Sequence, residues 1–147
     1  MFGRRRKEAS LDARVQHHLE SLDIKYEVDE DGDYRVGFRL KNERTQIGYV
    51  RCRTVDFAGM EIMEIFSIAL HSFGPFDART SNILLQESEK VKIGSWGVVQ
   101  DADDNHLAVF TAKVPTTLNA DEFFAVLFAV VQTADRMEER LSARDDF

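Results

Sequence analysis

The sequence predicts an α+β domain in which an antiparallel sheet carries helices, and three observations predict it. Apolar residues recur at spacings of three and four near the N-terminus, then switch to strict alternation at Ile24. Turn-forming pairs such as Asp31-Gly32 divide the alternating segments. A last apolar segment beginning at Phe123 returns to the helical period.

Taken in order, Ser10 can cap a helix in which Leu11, Val15, His18, Leu19 and Leu22 share one stripe. Ile24, Tyr26 and Val28 then alternate with Lys25, Glu27 and Asp29, and Tyr34, Val36, Phe38 and Leu40 with Arg35, Gly37, Arg39 and Lys41. These are two strands with one wet face each. Asp31-Gly32 between them suits the positive φ angles of a tight hairpin turn. A third strand is expected from about Ile47 to Thr54.

The spacing of MEIMEIFSIALHSF fits a buried helix as well as a strand. Gly59 before it and Phe73-Gly74-Pro75 after it bound the run, and Ile62, Phe66, Ile68 and Leu70 share one face at period two. The reading is a strand, with Glu64 as a break in that face. Asp77 can cap a helix through about Lys90 that carries Ile83 and Leu84, and KIGSWGVVQDADDNHLAVFTAKV reads as a hairpin. Asn119 with Glu122 forms a capping pair for a long helix reaching the region of Leu141. The expected order is α-ββββ-α-ββ-α, one domain over residues 10–143 behind a short basic tail of residues 1–9.

Composition narrows the function classes. At 147 residues and 44% hydrophobic, the chain can bury one core. Its longest apolar run, Phe123 to Val131, is far shorter than the roughly 20 residues that span a bilayer, so no membrane partner is expected. The basic start meets Glu8, Asp12 and Arg14 where a signal peptide would be apolar, which points to a cytoplasmic protein. Cys52 is alone, so neither an intramolecular disulfide nor a thiolate cage is available. A net charge of −7 repels phosphate backbones, and Arg4 to Lys7 is one short patch, so nucleic acid is not an expected partner.

Each chemical candidate has a simpler reading. GSWG is not the nucleophile elbow G-x-S-x-G, so Ser95 reads as a strand residue, and Gly94 and Gly97 leave room for the Trp96 indole to lie over the backbone. Asp101, Asp103 and Asn105 match calcium-loop positions one, three and five, but His106 and Ala112 replace the required glycine and glutamate. DEDGDYRVGFRL fails likewise at Tyr34 and Leu40, so both acidic stretches read as solvated hairpin tips. His17, His18, His71 and His106 make no zinc spacing, and His18 on the apolar stripe reads as a packed histidine. Cys52 reads as a strand residue, while Arg51 and Arg53 solvate a strand edge or attract an acidic ligand. No catalytic residue, cofactor or metal ligand is assigned.

The last helix is too greasy for one contact. Val126, Val130, Phe123, Ala134, Leu127 and Val131 form its core arc, and Phe124 and Phe128 widen it to about 200°, against the roughly 100° that one packing face requires. Either the sheet curls around the helix, or the phenylalanines form a dimer or partner seam. Burying both would contribute about 3 to 6 kcal/mol.

The element order resembles that of the YbjN family, which is similar in fold to type III secretion chaperones. The strings that carry the resemblance are EIFSIAL, NILLQESEKVKIGSW and LNADEFFAVLFAVVQTADRMEE, the last with Ala134-Asp135 followed by Glu138. Ile68 and Ser88 depart from it, standing where relatives often carry proline and asparagine. The resemblance implies a non-enzymatic domain, chaperone-like or adaptor, that holds another polypeptide or pairs with itself. Phe124 and Phe128 are the expected contact residues, with Trp96 as a further candidate. Two other functions stay open: a stress or signalling regulator that binds a small ligand, and an enzyme with an unfamiliar acid/base site.

Overall fold

The computed structural model describes residues 12–142 and 146–147; the expected basic tail, the Ser10 cap and Leu11 lie outside them. The architecture is α+β: among the described residues, three α-helices and a seven-stranded antiparallel sheet. In chain order the elements are α1 (Ala13–Ser21), β1 (Glu27–Val28), β2 (Tyr34–Arg39), β3 (Thr45–Val50), β4 (Val55–Phe57), β5 (Met60–Phe73), α2 (Ala78–Lys90), β6 (Ser95–Gln100), β7 (Asn105–Pro115) and α3 (Ala120–Ser142). The sheet order is β1-β2-β3-β5-β7-β6, with β4 also paired to β5.

The helix starts follow from local chemistry. Asp12 caps α1 by accepting from the Arg14 backbone N–H, and Asp77 caps α2 by accepting from Thr80 N–H. Asn119 and Glu122 form the expected reciprocal box ahead of α3, each side chain accepting from the other's backbone N–H at 2.9 Å. The Tyr34 hydroxyl donates to the Asp12 carbonyl, and Arg14 pairs with Glu61 at 2.7 Å, so α1 is tied to β2 and β5.

The sheet carries one more strand than expected, because the third strand breaks. The Cys52 N–H leaves the ladder to donate to the Asp33 carboxylate at 2.9 Å. Two residues bulge there, and β3 and β4 lie end to end along the same side of β5, with Val50 opposite Ile65 and Val55 opposite Ile62.

MEIMEIFSIALHSF is a strand throughout, as read, but its faces are the reverse of the expected ones. Met63, Ile65 and Ser67 lie opposite Val114, Ala112 and Phe110 in the core, and a bulge at Ala69 brings Leu70 to that face, opposite Ala108. Ile62, Glu64, Phe66 and Ile68 point to the other side. Glu64 therefore interrupts nothing: it pairs with Arg51 at 2.9 Å, and Arg51 covers the Phe66 ring, 4.5 Å from its centroid.

One core joins Val15 and Leu19 of α1, Leu84 of α2, the α3 arc of Phe123, Leu127, Val130, Val131 and Ala134, and the alternating strand residues beneath them. The helices thus share one face of the sheet. α3 comes closest at Gly48, where a Cβ would stand 2.7 Å from Leu127 and 2.8 Å from Val131. At Gly94 it is the Phe110 ring, not the Trp96 indole, that takes the space a side chain would need. Where the β3–β5 ladder has ended, side chains continue it: Gln46 donates to the Ser67 hydroxyl and the Ile68 carbonyl, and Ser67 donates to the Ile47 carbonyl.

Gly48→Ala is expected to lift α3 from β3 and cost about 1 to 3 kcal/mol. Urea unfolding should show a lower midpoint at an unchanged slope.

Candidate functional site

Most of the reactive-looking groups are held by structural bonds. Asp29, Asp31 and Asp33 bring carboxylate oxygens within 4.8 Å of one another. Asp29, however, accepts from the backbone N–H groups of Asp31 and Asp33, and Asp33 accepts from Cys52. That is the bonding of a hairpin tip, with Gly32 at φ 84°. Asp101 plays the same part in the β6–β7 turn, accepting from Asp103 and Asn105, and those bonds hold its carboxyl below the usual range. Burial and the Asp33 carboxylate push the Cys52 thiol up, away from a reactive thiolate.

The histidines are scattered. His71 meets the Asn105 side chain at 2.7 Å, and buried His106 meets the Asp104 carbonyl at 3.2 Å. His18 stacks on Phe123 with ring centroids 5.2 Å apart, which is the packed role expected of it. Burial pushes its imidazole below the ordinary value, the neighbouring His17 adds to this, and a bond with the Leu118 backbone opposes it. Arg51 is bound to Glu64 and to the Phe66 face.

An ion cluster that the sequence reading passed over lies under the far end of α3. Arg44 donates to Asp135 at 2.9 Å and to Glu138 at 3.2 Å, and Glu138 is completely buried. The cluster fixes the loop before β3, in which Asn42 and Glu43 both have φ of 60° and the Leu40 N–H donates to the Arg44 carbonyl at 2.7 Å. Two successive left-handed residues without glycine cost about 1 to 3 kcal/mol each and persist only where the surroundings hold them. Beside this loop opens a cleft of about 510 Å³ lined by Arg39, Lys41, Asn42, Phe128, Gln132 and Arg136, among others.

The three expected contact residues part company. Phe124 is 36% exposed and Phe128 half-buried. Their rings stack at 5.8 Å, and Phe38 of β2 approaches both, at 6.4 and 6.0 Å. The domain's own sheet therefore covers one side of the pair and leaves the other open. Trp96 is a core residue, 7% exposed and edge-on to Phe110 at 5.2 Å. Its backbone N–H donates to the Ser88 hydroxyl, so serine at that position does link α2 to β6.

Among the described residues, a longer unpaired strand edge lies at the other side of the sheet. β6 is an edge strand six residues long, SWGVVQ, with no charge and no proline. Natural edges are usually blunted by lysine, proline or shortness. The opposite edge follows that rule, since β1 has two residues between Lys25 and Asp29. At β6, Val98 and Val99 are 49% and 48% exposed on opposite faces, and Leu85 of the overlying α2 is 63% exposed. Strand order decides which element is an edge, and no local pattern in the sequence could reveal it.

No protein-family model matches the chain, and comparison with curated proteins finds no match. No helix among the described residues is long and apolar enough to cross a membrane.

Two measurements check this geometry. The unfolded His18 ring gains a proton near pH 6.5 while the folded ring resists until lower pH. Its stabilising contribution is thus present above about pH 6.5 and lost as pH falls through the lower folded value. Thermal melts between about pH 7 and pH 5 should show that loss, and His18→Phe should reduce it. Arg44→Ala should cost about 3 to 5 kcal/mol, because it strips the cation from buried Glu138.

Proposed function

We propose that this chain is a non-enzymatic protein-binding domain, chaperone-like or adaptor, that pairs with itself through β6. The observation that carries the reading is the uncharged, open β6 edge, flanked on both faces by Val98, Val99 and Leu85. An exposed row of backbone donors and acceptors is completed by another strand, and a second copy supplies an identical one. Antiparallel pairing about a two-fold axis satisfies both edges at once and buries the valines against their counterparts. A strand pair alone falls short of the roughly 800 Å² per partner of a stable interface, and α2, lying over β6, supplies the remainder.

Several features support the same reading. The α+β class and the order of helices around an antiparallel sheet are compatible with the resemblance to YbjN proteins, with one strand more than expected. Asp29, Asp33, Asp101, Arg44, Arg51 and Glu138 are bound in turns and ion pairs, and the open positions along β6 and α2 are the apolar Val98, Val99 and Leu85. A lone thiol with a raised pKa suits the reducing cytoplasm, where we place the protein. Phe124 is then free to meet a second polypeptide.

Sedimentation equilibrium tests the pairing. The wild type should be a dimer at micromolar concentration, and Val98→Lys with Val99→Lys should give a folded monomer. Phe124→Asp should remain dimeric. A wild-type monomer at high concentration, or a dimer that survives the lysines and dissociates in Phe124→Asp, refutes the β6 seam.

A further inference from the structure

We infer that the cleft between the end of β2 and the last turns of α3 binds an extended acidic peptide segment that carries one aromatic or aliphatic side chain. The inference rests on the protein-binding reading and names the chemistry of the partner. Its basis is an unusual concentration of charge. Arg39, Lys41 and Arg136 all line the cleft, all are exposed, and none makes an ion pair among the described residues, on a chain whose net charge is −7. Of the two carboxylates in the lining, Asp135 is buried and bonded to Arg44 at 2.9 Å, and Glu139, exposed at the rim, lies 3.8 Å from the same guanidinium. The opening therefore presents three exposed cations against one exposed acid.

Phe128 supplies an apolar wall, continuous through its stack with Phe124 to the partly exposed surface beside Phe38. Gln132 and Asn42 add side-chain amides, which can donate to and accept from a peptide backbone. Guanidinium groups take carboxylates in paired, planar fashion, so Arg39 and Arg136 select acids in preference to neutral side chains. The rim needs little rearrangement to receive a ligand. Lys41 and Asn42 sit on the loop that Arg44 pins to α3, and its left-handed residues are already in place.

A peptide fits better than a nucleic acid. A phosphate chain needs a basic track and open rings on which bases can stack. Here three cations form one cluster, Phe128 is half-buried, and the rest of the molecule is acidic. The cleft is also separate from the proposed pairing edge, since β3, β5 and β7 stand between β2 and β6.

Fluorescence anisotropy with the full chain tests this. The probe is a labelled peptide of alternating Asp and Glu around a central Phe. Controls are the same peptide with Asn and Gln for the acids, the same peptide with Ser for Phe, and a uridine oligonucleotide of matched charge. The acidic Phe peptide should bind saturably, weaken as salt is raised, and exceed every control. Arg39→Glu with Arg136→Glu should weaken it by about tenfold or more, and Lys41→Glu alone should weaken it measurably. These side chains are exposed and unpaired, so an unchanged melting temperature will show that the variants fold. Absence of binding, equal binding of any control, or unchanged affinity in the charge-reversed variants overturns the inference. The failures are separable: a non-binding dimer removes the cleft assignment alone, and a peptide-binding monomer removes the β6 pairing alone.

Discussion

The rest of the structure depends on the contact of α3 with β3, β5 and β7. Phe123, Leu127, Val130, Val131 and Ala134 are completely buried there, and Gly48 lets the helix approach the sheet more closely than any side chain would allow. Once that distance is set, the other pieces have little freedom. α1 lays His18 on Phe123, the loop before β3 is drawn to Asp135 and Glu138 by Arg44, and Phe38 meets the flank of the helix. The same contact explains why the two phenylalanines are only half covered. Residues that follow the core arc are sealed by the strands, while Phe124, one step around the helix, reaches only the end of β2.

The parts of this fold that were legible in the sequence are those governed by neighbours along the chain. Asp77 and the Asn119–Glu122 pair bond to backbone within three residues, so their types and spacing are sufficient. The hairpin tips at Asp31-Gly32 and Asp101 to Asn105 are equally local. What stayed hidden depends on residues far apart. The break between β3 and β4 arises because Asp33 captures the N–H of Cys52, and the two faces of β5 are exchanged relative to expectation by pairing with β3 and β7. A period of two defines a pair of faces without saying which is buried, and the bulge at Ala69 moves Leu70 from one to the other.

The candidate surfaces divide along the same line. The excess of apolar residues on α3 could be counted from the sequence, and Phe124 is indeed partly open. Asp135 and Glu138 on a helix stripe that is otherwise apolar signal that a cation is needed, but nothing local identifies it as Arg44, some ninety residues earlier. The sequence places the Trp96 indole over the backbone at its flanking glycines, as a candidate contact. The space near Gly94 is in fact filled by Phe110, and the indole is packed beside it. The openness of β6 follows from strand order, as does its distance from the basic cleft, so two surfaces of different chemistry occupy opposite margins of one sheet.

The position of β5 has a consequence for synthesis. This fourteen-residue strand is central in the sheet, yet its main neighbour, β7, is made only after α2 and β6. A nascent chain that has just emerged through Phe73 thus carries a long, β-rich greasy ribbon whose second flank stays bare until Pro115 clears the ribosome. Such non-local closure is slow and leaves the strand exposed to aggregation in the interval. Glu61 and Glu64 set two charges within the ribbon, where natural sequences place gatekeepers, and the arginines that pair with them, Arg14 and Arg51, have already been made.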